Sequence, residues 1–159
     1  MKVLCLLQAR MDSERLPGKI MKEISGIPII GHILRNLSYS KKIDEIIVAT
    51  TTNSSDDILV NYLDKHNWKY FRGDENDVLL RYAKALKQFP ADYVVRITAD
   101  NPLTDPEMVD SVIEQAILTK SDYSTNHLIK TFPLGYGVEV ISAQTLLNIV
   151  KLTQNPKDR

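Results

Sequence analysis

Val3-Leu4-Cys5-Leu6-Leu7 runs without a break into Gln8-Ala9-Arg10-Met11-Asp12-Ser13-Glu14-Arg15-Leu16-Pro17-Gly18-Lys19. The apolar run has no solvent-facing alternation, so it reads as a strand buried on both faces, as central parallel strands are. The segment after it is its chemical opposite. Dense charge with Pro17, Gly18 and Gly26 marks residues 8–26 as a long functional loop, with a short turn near Met21-Lys22-Glu23.

Outward from that junction, strand and helix patterns alternate to the end of the chain. Ile29, Ile30, Ile33, Leu34 and Leu37 recur at helical spacing and stop at Ser38-Tyr39-Ser40. Residues 45–50 form a second apolar strand, and Ser54 or Ser55 before Asp56-Asp57 is the expected cap of a helix facing inward through Ile58, Leu59, Tyr62 and Leu63. Trp68-Lys69-Tyr70-Phe71 alternates as a sheet-edge strand does. A helix comes next with Val78, Leu79, Tyr82, Ala85 and Leu86 inward, and Arg81 is expected on its surface. Residues 93–98 form the fourth strand, and Asp105-Pro106-Glu107 opens a helix to about residue 119, capped by Asp105 with Pro106 in its first turn. A short strand near Tyr123-Ser124, a Pro/Gly loop at 131–137, a strand at 138–141 and a helix from about Ala143 complete the pattern. The alternation predicts one α/β domain over residues 1–159, a three-layer doubly wound, mostly parallel sheet. Ligands in such sheets collect beyond the carboxyl ends of strands. Residues 8–19 and Asp100-Asn101-Pro102 then share one rim if the first and fourth strands are neighbours.

Composition narrows the function. The chain has 159 residues, 43% of them hydrophobic, which is enough for a sizeable core. Lys plus Arg and Asp plus Glu balance at 20 each, so no bulk field draws in nucleic acid or an anionic membrane, and any anion site must be local. A single cysteine, Cys5, rules out a disulfide framework and reads as a buried bystander. Apolar stretches fall short of the roughly 20 residues that span a bilayer, and the opening run is too short for a signal-peptide core, so a cytoplasmic location is expected. His32, His66 and His127 are scattered without metal-ligand spacing, and neither a nucleophile elbow nor a catalytic carboxylate pair is present.

The loop after the first strand holds the cations Arg10, Arg15 and Lys19 and the hydroxyl of Ser13, with Gly18 allowing close backbone approach. Guanidinium forks and a lysine point charge suit polyphosphate oxygens. The glycine spacing and the Lys-Ser/Thr pair of a Walker A loop are absent. A solvated loop whose cations pair internally with Asp12 and Glu14 is the competing explanation. Asp100, closing the fourth strand, suits Mg²⁺, which takes one or two carboxylates plus phosphate oxygens and water; alternatively it caps the turn before Pro102. After the third strand, Asp74, Glu75 and Asp77 decorate a helix N-terminus, which is ordinary dipole complementation.

Ala9-Arg10, Ser13 and Arg15-Leu16-Pro17-Gly18-Lys19 together resemble the signature of the cytidylyltransferase family, which includes the CMP-acidic-sugar synthetases and spore-coat polysaccharide biosynthesis proteins of the F type. Arg96-Ile97-Thr98-Ala99-Asp100-Asn101-Pro102-Leu103 and residues 71–82 resemble two further elements of that family, although many relatives carry glycine where Ala99 stands. The resemblance implies a nucleotide-diphospho-sugar transferase-like, Rossmann-like fold. It implies Arg10, Lys19 and Asp100 as the catalytic set, with Asp100 on Mg²⁺. The nucleotide would be met by the backbone around Leu7, Gln8 and Ala9 and by Arg10, Ser13, Arg15, Lys19, Arg72, Asp77 and Arg96. Asn126, Tyr136 and Glu139 would face the sugar acceptor. CTP and a sugar or sugar phosphate are the implied partners, with a homodimer possible, and the family's usual length implies that its C-terminal portion is missing here. A nucleotide-sugar glycosyltransferase is the weaker enzyme alternative, because Asp100-Asn101-Pro102 lacks the Asp-x-Asp metal motif; an inactive nucleotide-binding module is the other.

Overall fold

Residues Val3–Gln8 form the central strand β1, with β4 (Glu45–Thr51) paired in parallel on one side and β6 (Tyr93–Thr98) in parallel on the other. This computed structural model describes residues 1–13, 15–129, 133, 135–153 and 155. The expected pairing of Glu14, part of the 131–137 loop and the charged residues 156–159 lie outside them. The remaining strands of the main sheet are β5 (Tyr70–Gly73), β7 (Tyr123–Thr125) and β8 (Glu139–Ser142), in the order β5-β4-β1-β6-β8-β7. β5 is parallel to β4, whereas β8 runs antiparallel to both β6 and β7, so the sheet is mixed but mostly parallel, as predicted.

Alternation along β1 decides the layers. Val3, Cys5 and Leu7 pack with helices α1 (Ile29–Leu37), α2 (Asp57–Lys65) and α4 (Pro106–Thr119), while Leu4 and Leu6 point to the other face. There they meet α3 (Val78–Gln88) and α5 (Ala143–Leu152). Burial of both faces explains why this strand carries no polar residue before Gln8. Caps start the later helices: Asp105 accepts from the amides of Glu107 and Met108, Asp77 from Leu80, and Ser142 from Thr145. Among the described residues no helix is long and apolar enough to cross a membrane.

Several local expectations are corrected. The long loop contains a 3₁₀ turn at Lys19–Met21, anchored by buried Ile20 with Met21 packed against the core, and a small antiparallel hairpin, β2 (Glu23–Ile24) with β3 (Ile27–Pro28). Neither Ser54 nor Ser55 caps α2; both belong to a 3₁₀ turn, Ser54–Asp56, that precedes it. Val60 joins Leu59 and Leu63 on the buried face of the helix, and Ile58 is 58% exposed. Arg81 is not a surface cation. Val78, Arg81, Tyr82 and Ala85 share one helix face, and the structure buries Arg81 completely.

Candidate active site

The register of β1 and β6 sets Gln8 opposite Thr98, and the Ala99 amide donates to the Gln8 carbonyl at 2.9 Å. The charged loop and Asp100 therefore leave the sheet side by side. Between them lies an open cavity of about 400 Å³. From the loop it is lined by Gln8, Ala9, Arg10, Ser13, Arg15 and Lys19, and from the end of β6 by Thr98, Ala99 and Asp100. Lys19 Nζ stands 3.8 Å from Asp100 Oδ2, and Thr98 Oγ1 donates to Asp100 Oδ1 at 2.5 Å. Asp100 accepts no backbone amide among the described hydrogen bonds; the turn there is closed by Thr104 donating to the Asn101 carbonyl.

The loop is folded back by specific contacts. The Met11 carbonyl accepts from the amides of Ser13 (3.0 Å) and Gly18 (2.8 Å). Gly18 has φ 69°, a left-handed conformation natural to glycine, and starts the 3₁₀ turn whose Ile20 is buried. With Ile20 anchored in the core, the neighbouring Lys19 lines the cavity. The β4–α2 segment holds the other side: the Met11 amide donates to Asp56 Oδ1 at 2.6 Å, and Ser55 Oγ donates to Asp12 Oδ2 at 2.7 Å. Arg10 Nη1 lies 3.5 Å from Glu75 Oε1, and Asn53 Nδ2 donates to Glu75 Oε2 at 2.7 Å.

Other residues singled out from the sequence stand outside this cavity. Leu7 is buried, with its side chain in the core. Arg72 donates from Nε to the Thr51 carbonyl (2.8 Å), from Nη1 to Asp57 Oδ1 (2.7 Å) and from Nη2 to the Asn53 carbonyl (2.8 Å), bracing the β4–α2 segment. Asp77 caps α3. Arg96 donates to Glu139 Oε2 at 2.5 Å; burial is the largest single influence and opposes its charge, but this bond and the charges of Tyr82 and Glu139 together outweigh burial and raise its pKa. Arg96 Nη2 and the Tyr82 hydroxyl each lie 3.5 Å from Gln8 Oε1, so both help hold the side chain that begins the loop. Asn126 spends both ends of its amide on the chain returning to β8, donating to the Tyr136 carbonyl at 2.8 Å and accepting from the Val138 amide at 2.9 Å.

Buried Arg81 is the residue whose position departs furthest from the surface placement expected of it. Its Nη1 donates to the carbonyls of Asp74 (2.6 Å) and Glu75 (3.5 Å), whereas Nε and Nη2 have no partner among the described residues. Burial lowers its pKa. Gly73 makes room for it, since a β-carbon there would lie 2.8 Å from Arg81 Cγ. The signal was available in the spacing of Arg81 from Val78 and Ala85, which puts all three on the inner face of α3.

Among the described residues no group of three or more His, Cys, Asp or Glu is gathered for a metal ion. At the end of β6 the donor set is Asp100 with the Thr98 hydroxyl beside it. So small a set fits an ion that brings most of its ligands as phosphate oxygens and water, as Mg²⁺ does.

The chain is similar to known proteins over nearly its whole length. A family model described as cytidylyltransferase matches residues 4–156. The chain is 35% identical over 154 residues to the spore coat polysaccharide biosynthesis protein SpsF of Bacillus subtilis, covering 94% of the chain and 63% of that protein. It is 38% identical to an uncharacterized protein of Methanocaldococcus jannaschii, covering 100% of the chain and 63% of that protein. The solved structure of a cytidylyltransferase from Leptospira borgpetersenii superposes with a TM-score of 0.95 at 34% identity, covering 100% of this chain and 68% of that one. The chain thus spans 63% of the length of both curated relatives.

Proposed function

The chain belongs to the cytidylyltransferase family, and from that membership and the charged rim we propose that it transfers a cytidylyl group from CTP to a sugar, a sugar phosphate or an acidic sugar. The observation that carries the proposal is the meeting of Lys19 and Asp100 at 3.8 Å across a cavity that Arg10, Ser13 and Arg15 also line. The name of the Bacillus subtilis relative supports cell-surface or spore-coat polysaccharide as the destination of the activated sugar. A cytoplasmic location goes with a reaction that consumes CTP.

In the proposed reaction an acceptor oxygen attacks the α-phosphorus of CTP. The new O–P bond forms as the bond to the α–β bridging oxygen breaks, and pyrophosphate leaves with that electron pair; a hydroxyl acceptor also gives up its proton to solvent water. Arg10 and Lys19 hold the triphosphate and offset the charge that builds on the leaving group. Arg15 adds to the positive field of the loop, and Ser13 offers a hydroxyl to the nucleotide. Gln8 and Ala9, which line the cavity, would present backbone to the base. Catalysis is then positioning and charge stabilisation, without a covalent enzyme intermediate. Asp100 would hold Mg²⁺, which when bound neutralises phosphate charge. Arg72 and Asp77 serve this site through the segments they brace and cap.

Pyrophosphate release on mixing the chain with CTP, Mg²⁺ and a panel of sugar phosphates and acidic sugars tests the proposal. Asp100→Ala is expected to abolish release while the thermal midpoint stays near that of the parent. A variant that keeps most of the parent rate removes Asp100 from the reaction.

A further inference from the structure

Asp56 is 1% exposed, and a carboxylate buried to that degree must be matched by donors. It has no salt bridge among the described residues. Instead Oδ1 accepts from the Met11 amide at 2.6 Å, and Oδ2 accepts from the Thr51 amide at 3.1 Å and from the Thr51 hydroxyl. Its place in the chain makes this unexpected. Asp56 occupies the N-cap position of α2, where an aspartate normally accepts from the first amides of its own helix, yet its side chain makes no cap bond. The carboxylate is used on a segment 45 residues away.

What it holds there is the hub of the charged loop. The Met11 amide shares its peptide plane with the Arg10 carbonyl, so fixing it orients the chain that carries Arg10. The Met11 carbonyl accepts from Gly18, the residue before Lys19. Both cation-bearing arms therefore hang from one residue whose amide is pinned by Asp56. The pin is itself rigid, because Arg72 ties the Thr51 and Asn53 carbonyls and Asp57 on either side of it.

We propose that Asp56 is the positioning residue of the triphosphate cradle, acting through the Met11 amide to aim Arg10 and Lys19 at the β- and γ-phosphates. The inference rests on the proposed binding of a triphosphate at this rim. Asp56→Asn keeps the shape but offers one carbonyl oxygen and an NH₂ where two acceptors stood, so one of the two backbone amides loses its acceptor.

The test is titration calorimetry of CTP and of CMP, without divalent metal, against the parent and Asp56→Asn. CMP lacks the phosphates that the two arms grip, so a general loosening weakens both ligands alike, whereas a misaimed cradle weakens CTP alone. The expected result is CTP binding weakened about tenfold or more and CMP binding unchanged within about twofold. A parent that prefers CTP to CMP, beside a variant with the same preference, overturns the role of Asp56 and leaves the triphosphate assignment standing. A parent with no preference for CTP overturns both. Should Asp56→Asn not fold, Thr51→Val removes the hydroxyl that steadies Oδ2 and leaves the carboxylate in place. A selective loss of CTP of a few-fold is then expected, and an unchanged ratio overturns the proposal.

Discussion

Replacing Lys19 by Met separates what its ammonium does for the fold from what it does for a polyphosphate. At 3.8 Å from Asp100 Oδ2 a bare Coulomb term is about 4 kcal/mol for an effective dielectric of about 20. Yet the side chains of Lys19 and Asp100 are 26% and 46% exposed, and pairs so open to water are worth no more than about 1 kcal/mol. For a chain of this size that lowers the thermal midpoint by less than about 4 °C. Against a triphosphate the same ammonium makes a charge-assisted bond worth about 1.5–3 kcal/mol, so CTP should bind roughly ten- to a hundredfold more weakly to Lys19→Met. The loss should shrink as salt rises, because charges at an open rim are screened over about 8 Å at physiological ionic strength. Calorimetric titration with CTP at two salt concentrations, beside thermal melts, measures both quantities. Unchanged CTP affinity, or a loss no larger than the drop in stability explains, would refute the cradle.

The buried groups supply two more expected outcomes. Arg81→Met should leave stability in urea within about 1 kcal/mol of the parent, because two carbonyl contacts are lost while two unpartnered nitrogens are relieved. Arg81→Ala should cost about 2 kcal/mol or more through the cavity it opens, and a similarly large loss for the Met variant would mean that the guanidinium is fully satisfied in solution. Cys5 is buried, and burial raises its pKa from 9.0 to about 12. Its protonated form therefore favours the fold: that contribution is fully present below pH 9.0 and declines as pH climbs towards about 12. In native protein the thiol should resist alkylation at pH 8 and react once the chain is unfolded in denaturant; rapid modification of the folded chain would show that β1 opens.

Much of the candidate site was legible because its chemistry is concentrated in contiguous stretches. Arg10, Ser13, Arg15 and Lys19 lie within one loop, and Asp100 comes directly after an apolar strand, so strand-end placement brings them to one rim once the first and fourth strands pair. Arg72 and Arg81 were not legible in the same way. Both are arginines in a segment whose motif suggested contact with a nucleotide or exposure to water; Arg72 instead meets the Thr51 and Asn53 carbonyls and the Asp57 carboxylate of the β4–α2 segment, and Arg81 turns back onto the Asp74 and Glu75 carbonyls before its own helix. A guanidinium carries no mark in sequence that tells a strut from a ligand. Ser54 and Ser55 misled for a related reason: each has the chemistry of a cap, but the helix begins later, after a 3₁₀ turn.

By itself the sequence determined that the chain builds a mostly parallel sheet, that a loop dense in cations leaves its first strand, and that an acid closes the fourth. These are properties of periodicity and local composition, which act over a few residues. Tertiary structure alone decided that the first and fourth strands are neighbours, that Asp56 spends its carboxylate on Met11, and that Arg81 is enclosed behind Gly73. Those outcomes depend on which donors and acceptors meet when distant segments exclude water together, and burial makes each unmatched polar atom costly enough to select the arrangement.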